Sequence, residues 1–265
     1  MAGDEAVQHL LDGFLASLPG VVPLRALWVH GSLALGDFQA GRSDLDLVAV
    51  LDGPITDPEA LQALHRSLEA SHPLATGLHC SYVQVDQLAD ASRPHPTWAQ
   101  QRYFERPVGA VTRRELELGD LSLYGPAPTS LLPATSDAEL VAFIRDDLEN
   151  FWYPASAKRK PWLADIWVDL GLITVARARV TLTDGRLITK REALDLLPSL
   201  GAPLSVVQDI THRRYSPAAA GAASAAVGAA SASGSAPASG GVLWPARRGF
   251  LARRFVRSAI SDLLR

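Results

Sequence analysis

The sequence predicts an α+β protein, with an α/β sheet unit in its first half and a helical second half. Three observations carry this. Apolar runs of strand character alternate with helical periodicity between residues 24 and 85, helical patterns dominate past Pro126, and each half has its own apolar periodicity. Strands separated by helices are the pattern of a sheet with flanking helices. The boundary is drawn after residue 127, giving domains of 1–127 and 128–265, and 265 residues are enough for two cores.

Residues 5–18 repeat Val7, Leu10, Leu11, Phe14 and Leu18 at helical spacing. Leu24–Val29 reads as a strand, followed by a Gly31-Ser32 turn and a short helical stretch from Leu33. Leu45–Leu51 is a second strand, Pro58–Ser71 a helix and Leu78–Val85 a third strand. In the second half, Ser136 to Glu139 forms a capping box, predicted to open a helix that buries Leu140, Phe143, Ile144 and Leu148. A longer helix over about 163–183 stops at Asp184-Gly185, where glycine suits a left-handed cap. Thr189 to Glu192 is a second capping box, and a further helix covers 203–214. Residues 216–241 are nearly all Ala, Ser, Gly and Pro and read as a flexible linker. Trp244-Pro245 then starts a terminal helix (244–265) with Phe250, Leu251, Phe255, Ile260 and Leu264 on one side.

Composition narrows the function classes. There is no apolar run long enough to span a bilayer, and the first residues are acidic rather than signal-like. The single cysteine, Cys80, excludes a disulfide framework and a thiolate-rich zinc site, so a cytoplasmic location is expected. A net charge of −3 argues against a nucleic-acid partner, although the segment 247–265 is basic. No membrane association is expected, and a monomer is.

The chemistry lies between Trp28 and Leu47. Asp44 and Asp46 are two residues apart on strand-forming sequence and so face the same way. Paired carboxylates on an otherwise apolar strand repel each other unless a cation sits between them. Two solvated aspartates on an exposed edge would give the same Asp-x-Asp. The Gly31-Ser32 turn a dozen residues upstream, directly after a strand, shifts the balance. Backbone N–H groups there can cradle phosphate, and carboxylates for a divalent metal beside amides for phosphate are what triphosphate chemistry requires.

With this Gly-Ser…Asp-x-Asp pattern the sequence resembles the DNA polymerase β-type nucleotidyltransferases, and within them the streptomycin/spectinomycin 3″(9)-adenylyltransferases. The resemblance extends to Leu172–Arg177, Thr183–Lys190, Leu197-Pro198 and Arg214-Tyr215. It implies an N-terminal nucleotidyltransferase domain, a small mixed sheet with flanking helices, followed by a C-terminal α-helical domain, with the site in a cleft between them. It implies two Mg²⁺ ions on Asp44 and Asp46 and ATP as co-substrate, bound by Gly31, Ser32, Ser43, Arg177, Lys190 and Tyr215. It implies an acceptor pocket lined by Trp152. Arg177 and Tyr215 also have ordinary readings as a snorkelling and a packed side chain. Lys190, by contrast, is a cation at a helix start, where the macrodipole opposes it and an anionic partner would help.

One catalytic position differs. The family's general base is a glutamate on the next strand, and the residue matching it is His79. An imidazole titrating near 6.5 suits that role. Alternatively Asp86 or the substrate's own amine serves, or the protein binds nucleotide and transfers it poorly. Asp165 and Asp169, with Asp146, Asp147 and Glu149 nearby, would suit a cationic small-molecule acceptor such as an aminoglycoside, or else form a solvated acidic face. The rival functions are transfer to RNA or a protein hydroxyl, which the basic C-terminal helix favours, and a non-catalytic nucleotide-binding module, which His79 favours.

Overall fold

The computed structural model describes residues 2–216 and 243–265, so the Ala/Ser/Gly/Pro tract lies, apart from Ser216, outside the described residues. The chain divides into two compact units, Met1–Ser136 and Asp137–Arg265.

The first unit is built on a six-stranded sheet: β1 (Leu24–His30), β2 (Leu45–Leu51), β3 (Leu78–Gln84), β4 (Pro94–Ala99), β5 (Arg102–Pro107) and β6 (Leu121–Tyr124). Their order across the sheet is β5-β4-β3-β2-β1-β6. Among the described residues only β2 and β3 pair in parallel, joined by a helix as such pairs must be, and the other pairings are antiparallel. The sheet is therefore mixed. On one face α1 (Ala2–Ser17) and α3 (Pro58–Ser71) pack Leu10, Phe14 and Leu61 against Leu27, Leu45, Leu47 and Tyr82. On the other, α4 (Ala110–Gly119) packs Leu116 with Ala26, Trp28, Val48 and Val50. Both faces of β1 and β2 are covered, which is why their sequences read as continuous apolar runs. Asp57 caps α3 by accepting the Ala60 N–H at 2.9 Å, and α2 (Gly31–Ala34) is a single turn.

The second unit is helical. Its elements are α6 (Asp137–Asp146), a π-helical turn (Asp147–Trp152), α7 (Tyr153–Ala157), α8 (Asp165–Asp184), α9 (Lys190–Leu196), α10 (Leu204–Tyr215) and α11 (Trp244–Leu263); the short α5 (Pro128–Leu131) closes the first unit. Gly185 ends α8 with φ +67°. Thr189 and Glu192 make both bonds of the predicted capping box on α9. Among the described residues no helix is long and apolar enough to cross a membrane.

Two burial expectations are corrected. Phe143 is 42% exposed rather than core, while Leu140, Ile144 and Leu148 are buried. On α11 the buried stripe is Arg248, Gly249, Ala252, Val256 and Ile260, and Phe250 is 52% exposed. Small residues decide this face: a Cβ on Gly249 would stand 2.1 Å from the Trp162 carbonyl oxygen, so the helix approaches its neighbour through backbone rather than through its bulkiest side chains.

Candidate functional site

The first unit gathers its polar residues on the sheet face that α4 covers. Across β1 and β2, His30 stands opposite Asp46, and across β2 and β3, Asp46 stands beside His79. The row His30–Asp46–His79 thus runs across three strands on one face. Asp44 lies one residue before β2. The His79 Nδ1 is 3.4 Å from Asp46 Oδ1 and its Nε2 is 3.9 Å from Asp44 Oδ1. The ring therefore sits between the two carboxylates, at the register position where the resemblance places a third. Exposure rises outward, from 10% for the His79 side chain to 25% for Asp46 and 54% for Asp44.

Glycine shapes the walls. Gly31 has φ +66°, and a Cβ there would lie 2.7 Å from Asp46 Oδ2; one on Gly77 would lie 3.8 Å from Asp44 Oδ1. The turn after β1 thus runs against the Asp46 carboxylate without a side chain between them, and Ser32 follows it into α2. Ser43 is a loop clamp. Its hydroxyl oxygen accepts the Gln39 N–H at 3.1 Å, and its own N–H donates to the Gln39 carbonyl at 2.8 Å, fixing the approach to Asp44. Asp86 lies beyond the opposite end of β3, roughly 20 Å along the strand direction from His79, so it is not part of this group.

The donor set suits Mg²⁺. Two carboxylates on one face, each next to a glycine that leaves room, are hard oxygen ligands. Among the described residues no three or more His, Cys, Asp or Glu side chains are set to close around a metal ion. The protein's share would therefore be the two aspartates, with phosphate oxygens and water completing the shell, as is usual for this ion.

In the second unit, the Arg177 Nε donates to the Ile188 carbonyl at 2.9 Å, tying α8 to the turn that leads into Lys190 at the start of α9. One residue on, the Arg191 guanidinium stacks 3.8 Å over the Tyr215 ring at the end of α10. Arg177, Lys190 and Tyr215 are thereby brought into one neighbourhood from three helices. Trp152 closes the π-helical turn and is 7% exposed. Its ring meets Phe151, Trp167 and Trp162 at centroid distances of 5.3, 5.9 and 6.5 Å. Phe151, which is 51% exposed, is the outward member of this aromatic cluster.

Asp169 is buried and Asp165, although 57% exposed, is paired, so both carboxylates are engaged by arginines. Arg213 donates to both Asp169 oxygens, at 2.9 and 2.7 Å, and Arg248 bonds Asp165 and, at 3.2 Å, Asp209. Burial pushes the Asp169 carboxyl above the usual range, and the Arg213 pairing opposes it. These carboxylates are spent on holding α8, α10 and α11 together. Asp147 is likewise raised by burial, against a hydrogen bond from Trp152.

No protein-family model matches the chain, and no curated protein matches its sequence. A solved structure does match. The spectinomycin adenyltransferase AAD(9) of Enterococcus faecialis, crystallised with ATP and spectinomycin, shares the fold with a TM-score of 0.60 over 98% of each chain. The fold is a nucleotidyltransferase fold. The two sequences are 13% identical, so the likeness is one of architecture. Within that fold, the His30–Asp46–His79 row lies where β1, β2 and β3 run side by side.

Sequence reasoning missed two members of this group. His30 is buried, and its Nδ1 lies 3.2 Å from Oε2 of Glu115 on α4, itself buried. A histidine at a strand end directly before Gly-Ser is a signal that the sequence holds. Glu115 has none, because its partner is 85 residues away.

Proposed function

We propose that the protein is a Mg²⁺-dependent nucleotidyltransferase moving AMP from ATP to a hydroxyl of a small molecule, an aminoglycoside-type antibiotic, with release of pyrophosphate. The observation that carries this is Asp46, backed by the bare Gly31 turn and flanked by Asp44 and His79, within a nucleotidyltransferase fold. The neighbour's ATP and spectinomycin support the choice of co-substrate and acceptor class.

In this reading Asp44 and Asp46 would hold the two Mg²⁺ ions, which would supply charge neutralisation for the transfer. Gly31 and Ser32 take the triphosphate, while Ser43 keeps Asp44 in place; the family resemblance assigns Arg177, Lys190 and Tyr215 to ATP as well. The acceptor oxygen bonds to the α-phosphorus, the bond to the β-phosphate oxygen breaks, and the hydroxyl proton goes to His79. Most of the rate comes from positioning and electrostatics. Trp152 contributes the aromatic side of the acceptor pocket. Asp165 and Asp169 are engaged by arginines, so the cationic character of the acceptor rests on the resemblance and the neighbour's ligand instead.

A second reading, transfer to RNA, is favoured by the groove along α11 lined by Phe250, Arg253, Arg254, Arg257 and Arg265. The test is incubation with ATP, Mg²⁺ and a panel including streptomycin, spectinomycin and RNA, reading pyrophosphate release and AMP addition by mass spectrometry. An AMP adduct on an antibiotic that vanishes in Asp46→Asn supports the proposal, and full activity in Asp46→Asn removes the metal assignment. ATP binding with no adduct on any acceptor would leave a nucleotide-binding module.

A further inference from the structure

We propose that Glu115, acting through His30, is a positioning residue for Asp46 and the Gly31 turn, and so sets how readily the site takes up Mg²⁺ with nucleotide. This rests on the nucleotidyltransferase reading above. Glu115 and His30 each have 9% side-chain exposure, and they meet at 3.2 Å. A carboxylate this deep costs several kcal/mol to desolvate, and an apolar pair of the same size would serve packing as well or better. Its placement suggests another use. His30 is the last residue of β1 and stands directly opposite Asp46. Cross-strand neighbours have Cβ atoms roughly 4.5–5.5 Å apart, close enough for one side chain to limit the other. The next residue, Gly31, runs against Asp46 Oδ2. Whatever fixes His30 therefore fixes one side of the Asp46 carboxylate and the start of the phosphate turn together.

The other side of Asp46 is held differently. His79 leans on both aspartates and is itself part of the proposed reacting group. Glu115 reaches the site through His30, with the imidazole Nδ1–H donating to the Glu115 carboxylate. Carboxylates that orient a residue beside a metal site commonly change metal affinity about 10–100-fold when removed.

The experiment measures nucleotide binding by calorimetry on the full chain, with a non-hydrolysable ATP analogue, as Mg²⁺ is varied, alongside thermal melting. The variants are Glu115→Gln, His30→Ala and His30→Asn, in which the asparagine amide can donate to Glu115 in place of Nδ1–H. Glu115→Gln, whose neutral amide oxygen accepts the Nδ1–H more weakly than the carboxylate does, is expected to melt at or above the wild-type temperature, yet to need about 10-fold more Mg²⁺ for half-maximal binding. His30→Ala should share the defect, and His30→Asn should recover most of it. An unchanged Mg²⁺ requirement in both Glu115→Gln and His30→Ala overturns the inference, as does a lowered melting temperature with normal Mg²⁺ dependence. Wild-type protein that binds no nucleotide at all would remove the nucleotidyltransferase reading and this inference with it.

Discussion

Replacing Gly31 with alanine separates backbone strain from a collision at the site, because Gly36 provides a matched control. Gly31 has φ +66° and Gly36 φ +73°, so alanine is strained at both. The left-handed conformation costs about 1–2 kcal/mol, offset by about 0.4–1 kcal/mol from the stiffer unfolded chain. Each variant should therefore lose about 1 kcal/mol, or about 2–4 °C in melting temperature for a protein of this size. At Gly36 nothing lies within 4 Å of the new methyl, whereas at Gly31 it would stand 2.7 Å from Asp46 Oδ2. Carbon and oxygen do not approach so closely, and the carboxylate must swing aside by at least about 0.5 Å. Forcing a side chain about 30° off its rotamer costs about 0.5–1.5 kcal/mol more. The functional effect should be larger, since a displacement of about 1 Å at a reacting centre can lower rate about 10²-fold. The assay is urea unfolding of both variants beside Mg²⁺-dependent ATP binding and pyrophosphate release. Gly36→Ala should keep near-normal binding and turnover, while Gly31→Ala loses 10-fold or more (about 1.4 kcal/mol). Equal functional loss in the two variants, or normal function in Gly31→Ala, would refute the argument that the bare turn shapes Asp46.

Other perturbations test the packing. Burial lowers the His65 pKa to about 3, so below 6.5 the unfolded state binds a proton that the folded state refuses. Stability should be full above pH 6.5 and fall as the pH drops towards 3, by roughly 4–5 kcal/mol from this group alone; His65→Phe should flatten that part of the profile in urea titrations at pH 7, 5 and 4. Gly249→Ala should cost about 2–3 kcal/mol or dislodge α11, because its methyl meets a backbone carbonyl. Gly13→Ala in α1, with nothing within 4 Å, should instead stabilise by about 0.5–1 kcal/mol in the same thermal melts. Arg248→Met should cost about 1.5–3 kcal/mol, since the little-exposed Asp209 loses one of its two arginines while the exposed Asp165 can turn to water; a melting temperature within about 2 °C of wild type would count against that network.

The elements legible in the sequence are those whose signals are local. β2 and α3 fall where apolar periodicity and the Asp57-Pro58 start place them, and the Thr189–Glu192 box forms as written. β4, β5, α4 and β6 are not legible in the same way. β4 opens on Pro94 and holds Pro96, and β5 is largely exposed with no alternation to read, so pairing along the sheet rather than sequence pattern makes them strands. The hairpin between them turns through Gln100 and Gln101 at positive φ, without the glycine or asparagine that usually marks such a turn. The same limit applies to the site. Asp44, Asp46 and Gly31 are readable because strand alternation and a glycine turn carry them. The Glu115–His30 contact is not, because only the sheet register and the seating of α4 bring it about.

The arginines of α11 show why charge counts along a chain mislead about partners. Counted in sequence, residues 247–265 look like a basic tail for nucleic acid. In the structure Arg248 is buried between aspartates, Arg253 donates to the Ser156 carbonyl at 3.0 Å, and Arg257 lies 4.4 Å over the Tyr153 ring. Three of the cations are thus committed to holding the second unit together, so removing the helix would damage that unit whatever it binds. A deletion therefore cannot distinguish an RNA-modifying enzyme from an antibiotic-modifying one. Reversing the exposed Arg254, which points away from the stripe of Ala252, Val256 and Ile260, leaves the packing in place and changes only the groove. Because phosphate contacts give RNA binding a steep salt dependence, a flattened salt slope in Arg254→Glu would speak for RNA, and an unaltered one for a small acceptor.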